Sequence, residues 1–445
     1  MNTTELEFSR RQLLTFMAAG TCSALALPLL SGCARDPVTG QSSFVLLSEQ
    51  QEIQLDRQQS PFQFSTDLGP IQDSGINTYL NRVGQNLAAH SHRPHMPFSF
   101  RGVNASYINA YAFPGGSIAA TRGILVELDN EAELAALFGH EIGHVCARHS
   151  AEHASTGMLS NILVAGAAIA TNAAGYSDAA SLVQGVGGLG AGALLASYSR
   201  DNEREADALG MEYMTRSGYN PSGMVGLMQV LLDNKKHNPN AIELMFATHP
   251  MSEERFATAR QAEQTKYRHM AQAALHRERY KDSIAALRAQ KKMIQQVQEG
   301  ANLMNQKKFP QAQATLSQAL KMAPRDYGAL ITMAKCCFLQ KKIQEAEKYG
   351  LQAIRVYPQE AQGHLVTGMS AMMIKQYDKA YHHLQDYDKV LPGNPEITFY
   401  KGYSLEQMGK KQAAAENYKK YLQNVNKGKQ AQHAHNRLKS WGYIK

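Results

Sequence analysis

No Cys-x-x-Cys pair occurs in this chain; its five cysteines stand at positions 22, 33, 146, 336 and 337. Neighbouring cysteines such as Cys336 and Cys337 rarely bridge each other, so the spacing encodes neither a disulfide framework nor a thiolate metal centre. The cysteines beyond residue 33 read as core thiols. Without such staples, a chain of 445 residues must rely on apolar burial, and its 44% hydrophobic content is enough for that. Also missing is an unbroken apolar run of about 20 residues, the length that crosses a bilayer. Residues 13–30 are interrupted by Thr, Ser, Gly and Pro28, and the apolar piece 162–170 is far too short. Aromatic residues make up only 8%, and none is interleaved with lysines as a stacking platform. The formal charge of +8 therefore does not indicate a nucleic-acid partner. That charge is uneven. Residues 1–260 are net acidic and 261–445 net basic, which marks two modules with different surfaces. The basic module suits a solvated face, an acidic partner or a membrane surface.

The N-terminus reads as an address rather than as structure. Arg10-Arg11 precede the interrupted apolar stretch, which ends in Leu30-Ser31-Gly32-Cys33. That ending looks like a bacterial lipobox, with residues 1–32 a cleaved lipoprotein signal peptide and Cys33 the lipidation site. The arginine pair fits export by the Sec or the twin-arginine route. Ala34, with no Asp after the cysteine, fits sorting to the outer membrane. The expected location is the periplasm, on a lipid anchor.

Residues 33–50 read as a tether, with a helix start at Ser48 backed by Gln51 three residues on. Strand signals fill 97–126, around a Pro114-Gly115-Gly116 turn. A helix opens near Asp129-Asn130, with Glu131 and Glu133 in its first turn, and is expected to run to about His149. Residues 157–197 are rich in Gly, Ala and Ser, with five glycines among positions 185–192, and read as a lid over a site. A second helix is expected from Asn202 to about Arg216.

The last third is periodic. Pro324, Pro358 and Pro392 are 34 residues apart, as are Ala312, Ala346, Ala380 and Ala414. Gly300, Ala334, Gly368 and Gly402 keep the same step. Small residues where helices touch and Pro at the repeat end, at this period, are the tetratricopeptide signature. Four repeats fit 293–326, 327–360, 361–394 and 395–428, with a capping helix at 429–445. The module before them spans 51–265, and 266–292 reads as a connecting helix.

Chemistry concentrates in His140-Glu141-Ile142-Gly143-His144. On a helix, i and i+4 share a face, so both imidazoles reach one ion at about 2.1 Å. Glu141, beside them, is placed to take a proton from a water that the ion activates. A catalytic site needs a third protein ligand, and Glu203-Arg204-Glu205-Ala206-Asp207 offers carboxylates at i and i+4. One of Glu203 and Asp207 would bind the metal while the other orients a ligating histidine. Glu205 is expected to face solvent, and His149 and His153 to be bland members of the first helix.

These motifs, with Asn109-Ala110 and Pro114-Gly115-Gly116 upstream and Thr248-His249-Pro250 downstream, resemble the zinc metallopeptidase family of the HtpX heat-shock and CAAX prenyl proteases. The resemblance covers roughly residues 36–428. It implies an α+β, mostly helical, zincin-like (gluzincin) domain with a small sheet, followed by an all-α tetratricopeptide superhelix. It implies one zinc per chain on His140, His144 and Glu203, with Glu141 as general base. Asp207 is implied as a residue behind the ligands, often given as a proton donor. A sheet edge near 111–120, with Asn109, Ala110, Gly115 and Gly116, would hold extended polypeptide as an added strand. His249 and Arg255 match the family's late His…Arg pair. Either His249 plugs zinc's fourth position, the reading adopted, or the two stabilise an oxyanion. The implied role is quality control of unfolded or misassembled outer-membrane proteins, with the repeats engaging clients or the barrel-assembly machinery. The rival reading is a chaperone or adaptor in which proteolysis is secondary.

Overall fold

The computed structural model describes residues 34–35, 37–38, 40, 42–43, 45–153 and 198–445. The expected signal peptide, Cys33 and the Gly-rich segment 157–197 lie outside the described residues. No helix among the described residues is long and apolar enough to cross a membrane.

The first long helix, α1 (Glu49–Thr66), starts where expected. The Gln51 backbone N–H donates to Ser48 Oγ while the Ser48 N–H donates to Gln51 Oε1, a reciprocal cap. The chain is already docked before it: Val45 and Leu47 are buried beside Ala151, so the tether ends earlier than residue 50. Helix α2 (Ser74–Ala88), capped by Asp73, buries Ile76, Tyr79, Leu80, Val83 and Leu87, a stripe at helical spacing.

Three strands follow: β1 (Ser99–Val103), β2 (Ala110–Ala112) and β3 (Ser117–Thr121), in the order β1-β3-β2. Strand β3 runs parallel to β1 and antiparallel to β2, with Tyr111 opposite Ala119. The β2–β3 turn needs both glycines. Gly116 has φ +99°, and a Cβ on Gly115 would lie 2.6 Å from Asp56 Cβ on α1. Beyond the sheet come α3 (Glu131–Cys146), α4 (Arg200–Arg216), α5 (Ser222–His237), α6 (Pro239–Thr248) and α7 (Glu253–Gln264). The first turn of α3 does more than meet the macrodipole. Glu131 is buried and accepts from Tyr79 and Tyr219 hydroxyls at 2.9 Å and from the Arg279 guanidinium.

The expected connecting helix is instead a broken path: a 3-10 turn at Arg268–Met270 and short helices at Arg277–Ser283 and Ala285–Ala289. His276, at φ +52°, opens the first of them. The segment is held to the start of α3 by Arg279 on Glu131 and by the Tyr280 hydroxyl on the Leu125 carbonyl oxygen, 2.6 Å away. Those anchors make it wrap rather than run straight.

The repeats are helix pairs: α8/α9 (Lys291–Asn305, Phe309–Met322), α10/α11 (Tyr327–Leu339, Ile343–Val356), α12/α13 (Ala361–Met373, Tyr377–Val390) and α14/α15 (Pro395–Gln407, Lys411–Leu422), closed by α16 (Lys429–Ser440). Ala312, Ala346, Ala380 and Ala414 are fully buried, and a Cβ on Gly300 would lie 2.6 Å from Leu316. The period extends to the backbone. Lys307, Lys341, Lys375 and Gly409, again 34 apart, all adopt positive φ at the turn inside each pair. Each following N–H closes the same C-terminal hydrogen bond, such as Lys308 to Leu303 and Lys342 to Cys337.

The array rests on the first module through the N-terminal ends of α10 and α12. Arg122, 2% exposed, forms a bidentate pair with Asp326, the α10 cap, at 2.6 and 3.0 Å. Glu360, which caps α12, accepts from Ser65 at the end of α1 and from Tyr327. Removing one partner of a buried ion pair strands the other, at a cost of about 3–5 kcal/mol. Arg122→Met is therefore expected to lower unfolding stability by about 3 kcal/mol, measured by urea denaturation. A shift under about a third of that would show that the pair is not what ties the modules together.

Candidate metal centre

The centre lies where α3 and α4 cross at close range. A Cβ on Gly139 would fall 2.9 Å from the Gly210 carbonyl oxygen, and one on Gly143 2.9 Å from that of Ala206. Each of these glycines directly precedes a histidine of α3, so the contact stripe and the imidazole stripe run side by side, one residue apart. On the other helix, Ser199 and Asn202 cap each other reciprocally and set Glu203 in the first turn of α4, fully buried. Small residues thus bring a carboxylate on one helix within reach of two imidazoles on the other.

The reaching atoms converge. His144 Nε2 lies 3.1 Å from His140 Nε2 and 3.2 Å from Glu203 Oε1. His249 Nδ1 lies 3.0 Å from Glu203 Oε1 and 3.4 Å from His140 Nε2. One atom from each of these four buried residues fits within 4.8 Å. Tetrahedral zinc with bonds of 2.0–2.1 Å places its ligand atoms about 3.4 Å apart, so the spacing fits.

Proton placement points the same way. Asp207 Oδ1 is 2.9 Å from His140 Nδ1, and the Arg255 guanidinium grips both carboxylate oxygens at 2.6 and 2.7 Å. Burial works against ionising Asp207, but these Arg255 contacts hold its carboxyl below the usual range. An ionised Asp207 only accepts, so the His140 proton sits on Nδ1 and its Nε2 presents a lone pair. Burial keeps His144 well below the ordinary histidine range, hence neutral. Two imidazole nitrogens and a carboxylate facing one point call for a cation. Burial likewise disfavours charge on Glu203, yet His249 and His140 hold it far below a normal carboxylate. Glu141 differs: it is fully buried, burial pushes its pKa up, and neither oxygen has a hydrogen-bond partner among the described residues. A free, proton-hungry carboxylate beside the cation point is what a general base requires.

Comparison with known proteins agrees with this geometry. Residues 75–263 match Peptidase family M48, and 303–367 match a tetratricopeptide repeat. The chain carries an M48 metallopeptidase domain. It is 31% identical over 251 residues to the beta-barrel assembly-enhancing protease of Escherichia coli (strain K12), covering 55% of this chain and 50% of that protein. It is 34% identical over 194 residues to the protein of the same name from Yersinia pestis, covering 43% and 39%. To the metalloprotease YcaL of Escherichia coli (strain K12) it is 31% identical over 161 residues, covering 36% and 59%. The chain thus spans about half the length of the first of these relatives.

Within the M48 domain, His140, Glu141, His144, Glu203, Asp207, His249 and Arg255 come together as one cluster. Every Arg255 nitrogen is engaged: Nε and Nη2 on Asp207, and Nη1 on Glu203 and on the Pro250 carbonyl oxygen. Asn109 and Ala110 lie at β2, which forms the sheet edge against α3. Phe113 N–H bonds Ser117 and Thr121 N–H bonds Asn109, so the backbone groups of Ala110 and Ala112 point to the side where no strand of the described residues pairs. Gly115 and Gly116, in contrast, are taken up by the turn and by packing on α1.

Two expectations fail here. Helix α3 ends at Cys146, not near His149, because Arg148 adopts φ +61°. His149 therefore leaves the helix face and swings back, its Nδ1 2.9 Å from His144 Nδ1. Glu205 is not simply solvent-facing; its Oε2 is 3.2 Å from His149 Nε2. Tyr198, which no motif signalled, stacks on His144 with ring centroids 3.8 Å apart. Because the crossing depends on glycine, Gly143→Val is expected to part α3 from α4. Metal analysis should find most of the bound divalent metal lost, and metal retained at one per chain would show that the helices tolerate the separation.

Proposed function

We propose that this chain is a zinc-dependent endopeptidase of the bacterial envelope that cuts unfolded or misassembled outer-membrane proteins. The observation that carries the reading is the meeting of His140 Nε2, His144 Nε2 and Glu203 beside the unpartnered Glu141 carboxylate. Bound zinc would polarise the scissile carbonyl and acidify a water. Glu141 takes the water's proton and returns it to the leaving amine. Asp207, kept ionised by Arg255, holds His140 in its ligating tautomer; a carboxylate in that state has no proton to donate, so its role is positioning. Strand β2, which no strand of the described residues pairs on its outer side, would accept an extended chain as an added strand once the packing that buries Ala110 and Ala112 is moved aside, and this selects unfolded segments over folded ones.

The wider role draws on relatives named for β-barrel assembly and on the repeats, which would dock clients or the assembly machinery. The periplasmic location and the lipid on Cys33 rest on the sequence of residues 10–33. His249 completes the metal's shell as a removable fourth ligand. Supporting this, its Nδ1 stands at ligand spacing from Glu203 and His140, while each Arg255 nitrogen already contacts Asp207, Glu203 or the Pro250 carbonyl oxygen.

Glu141→Gln should keep about one zinc per chain and lose casein cleavage by at least about 100-fold. If it also keeps full outer-membrane function in cells, the chain acts as a chaperone or adaptor instead. His249→Ala should cleave casein faster than wild type without added activator; a rate at or below wild type removes the plug.

A further inference from the structure

Helix α3 supplies two of the proposed histidine ligands, His140 and His144, and the reading above explains the orientation of only one of them. His140 is set by Asp207 and Arg255. His144 has no carboxylate on its Nδ1; it has His149. That residue is 2% exposed, buried beside the site with no task in the chemistry so far described.

Its placement is built rather than incidental. The left-handed Arg148 turns the chain at the end of α3, and the side chain of Arg148 locks that turn. Arg148 Nε donates to Glu52 Oε1 at 2.7 Å, and Nη2 donates to the Leu47 carbonyl oxygen at 2.5 Å. Glu52, fully buried on α1, is held in turn by Arg93 at 2.7 Å. Residues 149–153 resume as helix, which fixes the direction in which His149 leaves the turn.

Only one arrangement of protons satisfies the contacts. His144 Nε2 faces His140 and Glu203, so as a metal ligand it carries no proton and Nδ1 must donate. The atom that receives it is His149 Nδ1, which therefore accepts. The His149 proton then sits on Nε2, where Glu205 Oε2 waits at 3.2 Å. A carboxylate, an imidazole and a ligand imidazole thus form a single polarised line from the rim of α4 to the metal point. We propose that His149, oriented by Glu205, is the positioning residue for the metal ligand His144, the counterpart of Asp207 for His140. This rests on the reading of His144 as a zinc ligand. Such partners fix the ligand's tautomer and raise its basicity, and losing one weakens metal affinity by roughly 10- to 100-fold.

The test measures zinc affinity by competition with a chromophoric chelator, in full-length chains carrying Glu141→Gln to prevent self-cleavage. His149→Phe keeps the ring's bulk but removes the acceptor, and should weaken binding roughly 10- to 100-fold. His149→Asn places a side-chain oxygen near the position of Nδ1 and should recover most of that loss, a rescue that mere packing would not give. Glu205→Ala, partly exposed on the surface of α4, should weaken binding several-fold and keeps the test intact if His149→Phe folds poorly. Phe and Asn equally weak, or Glu205→Ala indistinguishable from its parent, would overturn the proposal. The underlying reading fails separately and visibly. In that case His144→Ala binds zinc as tightly as its parent, or the parent binds none, and the positioning role falls with it.

Discussion

The centre exists because two helices come closer than side chains normally allow. Gly139 and Gly143 on α3 meet Gly210 and Ala206 on α4, and a methyl group at either glycine would press on a backbone oxygen. Everything chemical follows from that approach. It sets Glu203 opposite His140 and His144, and it carries Asp207, one turn along α4, to the far nitrogen of His140. The glycine inside the HEIGH sequence thus belongs to the site as much as the residues around it do, though it contributes no ligand atom.

Charge then decides which atoms face inward. Arg255 keeps Asp207 in its accepting form, as His249 and His140 do Glu203, so the imidazole beside them turns its lone pair to the centre. Glu141 escapes this clamp. It has no cationic side chain in direct contact, its nearest imidazole nitrogen being 3.9 Å away on His249, and burial leaves it eager for a proton. Two carboxylates on neighbouring helices differ in their hold on a proton because one is gripped and the other is not.

Much of this was legible in the sequence, and the parts that were not share a cause. The pair at i and i+4, the cap at Ser48, and the 34-residue columns are local rules that repeat or close within a few residues, and they appear where expected. The swing of His149 depends on one left-handed residue, whose conformation depends on Glu52, nearly a hundred positions earlier. The broken path before the repeats depends on Glu131, and the seating of the array on Arg122 meeting Asp326. No spacing within a helix reports such encounters. Spacing alone could name Glu203 and Asp207 together but not say which served which purpose; the contact of Asp207 with His140 Nδ1 is what favours Asp207 as the orienting carboxylate.

The turns within the repeats carry one more consequence. Lys307, Lys341 and Lys375 hold a backbone shape that costs a side-chain-bearing residue about 1 kcal/mol or more, whereas Gly409 holds it freely. All three lysines are exposed, so their side chains contribute no packing in return. The array therefore stands below the stability its own architecture permits, with that headroom in the turns of its first three repeats and none in the fourth. An extended scaffold tuned in this way can drift in sequence at its outer turns while the alanines and glycines of its helix contacts stay fixed by space.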